Sequence, residues 1–480
     1  MLPVHTLFVG YAAVGAAMLL VCLPARAQTT QLDPAFRPVQ ATMLQNGVPV
    51  PATIQDVVRQ ADGRYVIGGN FTAINGVAAS GLARLEADGT VDVAFTNTVR
   101  TDGPVTSLAL QPDGRLVVGG SFTTLAGSAR TYLGRLEPSG VLDASFVPYT
   151  PPAYAAGGVS KVLLQPDGNV LVLGRFNLRG AGQPEQYLVR LSGSTGQDDP
   201  GFRFALPTPD TSPRTIRLQP DGHMVLGGNG PSYRQALLLG RLRPDGTLDG
   251  SFSALESTFT SELNALELDA SGRIYAGGMF QNGNGNPFLR RYLPSGALDP
   301  AFLYPRTFTV QNAGTVRALA LQPNGRLLVA QANGAERLLP NGSFDTSFTA
   351  TIGGTIQRFL VQPDGAILVA GAALTGTTAP SAVGLVRLLD ANVLRVQPSV
   401  AEARTAAWPV PAHEVLWLEL DASSRPRRVQ LLDALGRTVR TLEQPATSLQ
   451  LPLAGLPAGL YCLQVEYAGA DRVMRRLVLE

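Results

Sequence analysis

Arg241-Leu242-Arg243-Pro244-Asp245-Gly246-Thr247-Leu248-Asp249-Gly250-Ser251-Phe252 is the stretch that decides the fold. Its two ends flank a Pro-Asp-Gly corner. Proline pre-sets the first corner residue and glycine takes the left-handed position, so the stretch predicts a tight hairpin. Upstream stands a second phrase, Gln219-Pro220-Asp221-Gly222, followed by an apolar run. It predicts another hairpin, of the three-residue kind that joins a type I turn to a bulged glycine. The aspartates also suggest calcium, but one carboxylate per turn supplies far too few oxygens for a calcium shell.

Both phrases recur. The glycine of the Gln-Pro-Asp-Gly phrase falls at Gly63, Gly114, Gly168, Gly222, Gly272, Gly325 and Gly365, a period of about 50 residues. The Arg-Leu…Leu-Asp-x-x-Phe phrase follows each one. Two hairpins per repeat make four short antiparallel strands, here a to d, which is the pattern of a propeller blade. The expectation is an all-β chain with a seven-bladed β-propeller of four-stranded blades.

Closure follows from the count. After strand c, the strand d phrase ends at Phe95, Phe146, Phe202, Phe252, Phe302 and Phe348, but the last repeat stops at Val386-Arg387-Leu388-Leu389. The missing copy stands at the other end, as Leu32-Asp33-Pro34-Ala35-Phe36. An open ring would leave edges that pair with other chains. Donation of the N-terminal strand to the last blade removes them, and a linear solenoid gives no reason for the offset.

These phrases resemble the delta-60 repeat family, secreted bacterial proteins with predicted β-propeller repeats. The resemblance covers roughly Leu32 to Leu389 and brings no established common activity. Repeat six departs most, its b–c connection shrinking to about Asn333-Gly334.

Composition agrees with many strands and turns. The 480 residues hold 52 Gly and 36 Pro, and only 15% are charged. Net charge is +2, Lys161 is the only lysine, and the arginines are interleaved with carboxylates, so nothing marks a nucleic-acid surface. Leu7 to Leu23 is apolar and ends in the small-residue pattern Ala25-Arg26-Ala27 before Gln28. That predicts a signal peptide over residues 1–27, cut between Ala27 and Gln28, with no membrane span in the mature chain. Cutting there leaves Cys462 alone, so no internal disulfide is expected. Only His223 and His413 then remain as histidines, far apart in sequence. No metal site and no cofactor are expected.

One arginine recurs in every repeat: Arg84, Arg135, Arg190, Arg241, Arg291, Arg337 and Arg387. Seven arginines around a ring suit an anion. They also suit a structural ladder, which is the expectation here. Symmetry about the c–d turn sets Arg84 opposite Asp92, Arg135 opposite Asp143 and Arg241 opposite Asp249. It likewise sets Arg291 opposite Asp299 and Arg337 opposite Asp345, attractive pairs between covered faces. An extra residue within Ser192 to Gly196 shifts Arg190 relative to Asp199.

Binding is expected on the face of the long b–c and d–a connections. The candidates are Tyr149, Tyr154, Tyr233, Arg234, Tyr304, Arg306 and Phe308, which suit sugar rings, peptides or anionic glycans, or which pack the loops. No nucleophile elbow, H-E-x-x-H or Walker pattern occurs, and no catalytic residue is assigned.

After Leu389 the grammar changes. Alternating runs at Val415 to Leu420, Val429 to Val439, Leu449 to Leu453, Leu460 to Val465 and Val473 to Leu479 predict a small Ig-like antiparallel sandwich. Its phrases Leu432-Asp433-x-x-Gly436-Arg437-x-Val439 and Leu456-Pro457-x-Gly459-x-Tyr461, with the closing Arg475-Arg476-Leu477-Val478, are similar to the C-terminal sorting domain of the type IX secretion system. The resemblance covers roughly Val393 to Glu480 and implies passage across both membranes, with the secretion machinery as partner. The domains expected are 1–27 signal peptide, 28–392 propeller and 393–480 sorting domain. The expected function is a secreted or cell-surface propeller that binds a glycan or a protein. A polysaccharide hydrolase or lyase and a structural coat protein are the alternatives.

Overall fold

The Gln-Pro-Asp-Gly phrases fold as turns. Their glycines all have φ between +76° and +92°, a region open to glycine and costly for other residues. Each accepts the turn in the same way: in repeat two, Gly114 N–H donates to the Gln111 carbonyl at 2.9 Å, and Arg115 N–H donates to Asp113 Oδ1 at 3.0 Å. The aspartate is thereby used up within its own turn.

The structure, a computed structural model, describes residues 30–148, 157–176, 186–205, 212–230, 236–252, 255–257, 261–280, 288–305, 315–332, 334–376, 383–390, 405–408, 414–421, 425–433, 437–468 and 472–479. Among them, seven meanders follow one another, each with strand b between a and c. Unit one is Ile54–Arg59, Tyr65–Gly69 and Leu82–Leu85. Unit two is Val105–Leu110, Leu116–Gly120 and Leu133–Leu136, and unit three is Gly158–Leu164, Val170–Phe176 and Gln186–Leu191. Units four and five are Ser212–Leu218, Met224–Gly230, Ala236–Leu242 and Ser261–Leu268, Ile274–Met279, Leu289–Tyr292. Units six and seven are Ala318–Leu321, Leu327–Gln331, Gly334–Leu338 and Ile352–Val361, Ile367–Gly376, Val383–Leu389.

Strand a of each unit packs on strand a of the next, and strand a of unit seven returns to that of unit one. Strand a is therefore innermost and the units close on themselves. The core lies between units: Val66 and Leu82 of unit one share a cluster with Val105, Leu108 and Leu116 of unit two. The Gly-Gly phrase of strand b allows this approach. A Cβ at Gly119 would stand 2.5 Å from Val159 of the next unit.

Strand d is shorter than expected. In six units it is a single residue pair, such as Leu85 with Val91 or Leu242 with Leu248. The following aspartate diverts the chain into a turn by capping it with its own carboxylate. Two units add an outer strand: Gln31–Leu32 pairs with Leu389 and Leu388 at the seam, and Leu255–Ser257 pairs with Ala236–Leu242 in unit four. An unforeseen hairpin, Ala41–Gln45 with Val48–Pro51, joins a second hairpin in the b–c connection of unit one.

The C-terminal region has two sheets. Ala406–Trp408, Val415–Glu419 and Ser448–Pro452 form one, and Thr438–Glu443, Pro426–Leu432, Gly459–Tyr467 and Arg472–Leu479 the other. Leu416, Leu418 and Leu451 of the first share a core with Val429, Leu431, Leu463 and Leu477 of the second. The strand at Ala406–Trp408 was not expected from the sequence.

Candidate functional site

The repeated arginines do not form an open anion ring, because each is engaged on three sides. Arg135 Nε donates to Asp143 Oδ2 at 2.7 Å, and the guanidinium lies 4.6 Å from the Phe146 ring centroid. The other aspartate oxygen caps the turn, accepting from Ser145 N–H at 2.8 Å. The same three-part clasp holds Arg84, Asp92 and Phe95, Arg241, Asp249 and Phe252, Arg291, Asp299 and Phe302, and Arg337, Asp345 and Phe348. Despite the shift expected in repeat three, Arg190 reaches Asp199 at 2.7 Å. The longer turn absorbs the extra residue, with Gly196 N–H donating to the Ser192 carbonyl.

Each arginine also reaches forward to the c–d turn of the next unit. Arg84 donates to the Pro138 carbonyl at 3.2 Å, Arg190 to Pro244 at 2.7 Å and Arg241 to Pro294 at 3.0 Å. Arg337 uses the buried Asp390 carboxylate instead. Arg387 closes the cycle: it donates to Asp33 Oδ2 at 2.7 Å, covers Phe36 and reaches the Ala87 carbonyl of unit one at 3.0 Å.

A different ring lies at the axis, where strand a begins. In six units the pairing of a with b slips by one residue, leaving Gln55, Thr106, Ser160, Arg214, Asn264 or Gln357 as the bulged residue. Arg317 holds this place in unit six, just before its strand a. A bulge re-aims one side chain out of the pleat. All seven residues are polar, and six of them line one cavity of about 790 Å³ together with Arg175, Tyr187 and Glu262. Its size fits a small ligand.

Deeper along the axis sits a charge cluster. Asp56 is buried, with Arg358 at 3.3 Å and Lys161 at 3.7 Å. Its carboxylate accepts from Val57 N–H, Leu108 N–H and the Ser107 hydroxyl. Burial alone would raise Asp56, but the two cations and the backbone donors outweigh it and hold the acid below the usual range. Burial pushes Lys161 down to about 8, against the pull of Asp56.

Comparison with known families fits this frame. A model described as "Domain of unknown function (DUF5122) beta-propeller" matches residues 60–95, 111–146, 165–202, 219–252 and 270–302. A "Secretion system C-terminal sorting domain" matches residues 406–480. The chain carries DUF5122 propeller repeats and a type IX sorting domain. It is therefore a secreted or cell-surface protein. No characterised protein matches it in sequence. Among solved structures it is similar to PorZ, a surface component of the type-IX secretion system of Porphyromonas gingivalis, at 13% identity and TM-score 0.45, covering 89% of this chain and 59% of that one. It thus spans about three-fifths of that structure's length. It is also similar to the extracellular domain of the two component system BT3049 from B. thetaiotaomicron, at 12% identity and TM-score 0.44, covering 92% and 57%. A gluconolactonase from Xanthomonas campestris gives 13% identity and TM-score 0.32, covering 74% and 98%.

Each DUF5122 match ends on the clasp phenylalanine, and Thr106, Ser160, Arg214 and Asn264 of the propeller axis fall between matches. Of the loop candidates on the propeller, only Tyr304 is among the described residues. It bonds to Glu336 and Gln331 and meets Phe344 edge-on, away from the axial cavity. Tyr149, Tyr154, Tyr233, Arg234, Arg306 and Phe308 lie outside the described residues, as do Ala27 and Gln28.

In the sorting domain, Asp433 and Arg437 pair across a hairpin turn at 2.7 Å. Gly436 lies outside the described residues. Gly459 opens its strand at φ +151°, and the buried Tyr461 donates its hydroxyl to the Pro457 carbonyl at 2.8 Å. Among the described residues no helix is long and apolar enough to cross a membrane, and no three His, Cys, Asp or Glu side chains group to hold a metal.

The axial ring was not expected from the sequence, in which the long loops carry the aromatic and arginine candidates. Its only signal is a polar residue at one fixed place before each repeated turn, from Gln55 to Gln357.

Proposed function

We propose that the exported chain is a seven-bladed propeller working as a binding module for a surface glycan or protein, with the axial mouth as its site. On this reading residues 1–27 are the cleaved signal peptide, 28–392 the propeller and 393–480 the domain engaged by the secretion machinery. The observation that carries the binding role is the bulged ring. A backbone irregularity recurs in six units, and in five of them it turns a polar side chain into one cavity. A smooth coat protein has no use for such a device. The mouth also favours binding over glycoside hydrolysis, which uses two carboxylates. The described lining offers one, Glu262, and it stands 3.7 Å from Arg214.

The test is a glycan and polysaccharide array probed with the full mature protein and with Ser160→Trp. Ser160 is exposed at the mouth, so the indole should block it without unfolding the blade. The expected result is retention of specific glycans by the unmodified protein and loss by the variant. Equal retention by both would place binding elsewhere.

A further inference from the structure

The chemistry of the axial mouth narrows its ligand. Arg175, Arg214 and Arg317 line the cavity against one carboxylate, Glu262. Below them Lys161 and Arg358 face one carboxylate, Asp56. Five cationic side chains thus meet two anions along one axis, in a chain whose whole net charge is +2. A cleft lined by one sign of charge focuses potential and concentrates counter-ions.

Arg214 is already engaged, with Asn264 at 3.2 Å and Glu262 at 3.7 Å. Arg317 differs: it is exposed within the cavity, and its guanidinium has no hydrogen-bond or ion-pair partner among the described residues. The ordinary reading of an exposed arginine is a solvated side chain. Here it shares a concave wall with other cations, an arrangement that costs free energy until an anion enters. A guanidinium holds a planar anion with two parallel hydrogen bonds. Around it, Thr106, Ser160, Asn264 and Gln357 present hydroxyls and amides, which suit sugar hydroxyls, and Tyr187 presents a ring edge or face.

We propose that the axial mouth binds a saccharide bearing an anionic group, a ring carboxylate or a sulfate, with Arg317 as the residue that holds the anion. This rests on the mouth being the binding site. The hydroxyls and amides of Thr106, Ser160, Asn264 and Gln357 match the many hydroxyls of a sugar, which an acidic peptide lacks, and so favour the saccharide.

Calorimetric titration of the full mature protein with trigalacturonate, galactotriose, a sulfated galactan trimer and hexaglutamate tests it. Trigalacturonate or the sulfated trimer should bind about tenfold or more tighter than galactotriose, and whichever is tighter identifies the anion. The gap should narrow as salt is raised. Arg317→Gln should weaken the anionic trimer by about tenfold, weaken galactotriose much less, and be partly rescued by Arg317→Lys. Should Arg317→Gln fold poorly, the salt series on the unmodified protein decides the matter. Equal affinity for charged and neutral trimers would overturn the anion while leaving the mouth a binding site. Hexaglutamate binding as tightly as the sugars would overturn the saccharide. Silence toward every probe, with a silent array, would overturn both readings.

Discussion

Two rings of positions run through the propeller, and they divide its work. At the c–d turns the residue type is held constant: arginine in all seven units, with aspartate and phenylalanine beside it. At the start of strand a the backbone position is held constant while the residue varies among Gln, Thr, Ser, Arg and Asn. A constant side chain solves one packing problem seven times. A varied set at a constant place makes an asymmetric lining, which is what recognition of a single ligand requires. In a repeat protein the most regular residue is therefore a poor guide to the site, and regular geometry with irregular chemistry is a better one.

Removing residues 30–36 should hurt most, because it takes away the one clasp assembled from the two ends of the chain. Phe36 is 4% exposed, and Arg387 would lose Asp33. The expected loss is more than about 5 kcal/mol, with aggregation through the bared strand Val383–Leu389. Thermal melting and size-exclusion chromatography read both. An unchanged melting temperature would mean that the seam contributes nothing.

Next come the clasps inside the chain, which should rank by burial. Arg337 is fully buried and serves both Asp345 and Asp390, so Arg337→Ala should cost about 3–5 kcal/mol. Arg241 is 16% exposed, and Arg243 stands 3.8 Å from Asp249, so Arg241→Ala should cost about 1–2 kcal/mol. Denaturant unfolding measures each. Arg241→Leu with Asp249→Leu should cost less than the sum of the single changes, and additivity would show that the pair is uncoupled.

The smallest effect is on acid stability. Hydrogen bonds from Ser251, helped by Arg241 and opposed by burial, hold Asp249 well below the usual carboxylate range. Asp92, Asp143, Asp299 and Asp345 are held low too, burial being outweighed in each by turn donors and the clasp arginine. A carboxyl depressed in the folded state adds stability above its unfolded pKa of about 4 and loses it as pH falls further. Urea midpoints should therefore drop between about pH 5 and pH 3, and Asp249→Asn should flatten that drop by one group's share.

Much of the clasp ring was legible in the sequence because it is written in turn chemistry. Gly246 can be read as a left-handed corner, and Arg241 and Asp249 follow as partners by symmetry about it. The displaced Leu32-Asp33…Phe36 phrase gave the seam by counting alone. Strand d was read too long because Asp249 looks like a strand residue, yet its second oxygen caps the turn at Ser251 and ends the pairing. The bulges left no mark of their own, since neither glycine nor proline stands at Thr106 or Gln357. Only the structure shows that one residue is skipped there. The hairpin at Ala41–Gln45 was hidden because it belongs to no repeat.

The seam also fixes an order of events. Asp33 and Arg387 are 354 residues apart, whereas Arg135 and Asp143 are 8 apart. In an unfolded chain the longer closure costs roughly 3 kcal/mol more in entropy. That difference shrinks only after the intervening units have stacked into an arc that carries the two ends together. The seam strand thus waits for a partner made 354 residues later, and the ring zips shut after the units between them have stacked. By the same reasoning it is where thermal opening begins. Backbone amides of Leu32 and Asp33 should exchange with solvent sooner than those of any internal clasp, and a protease aimed at a partly opened molecule would find its first foothold there.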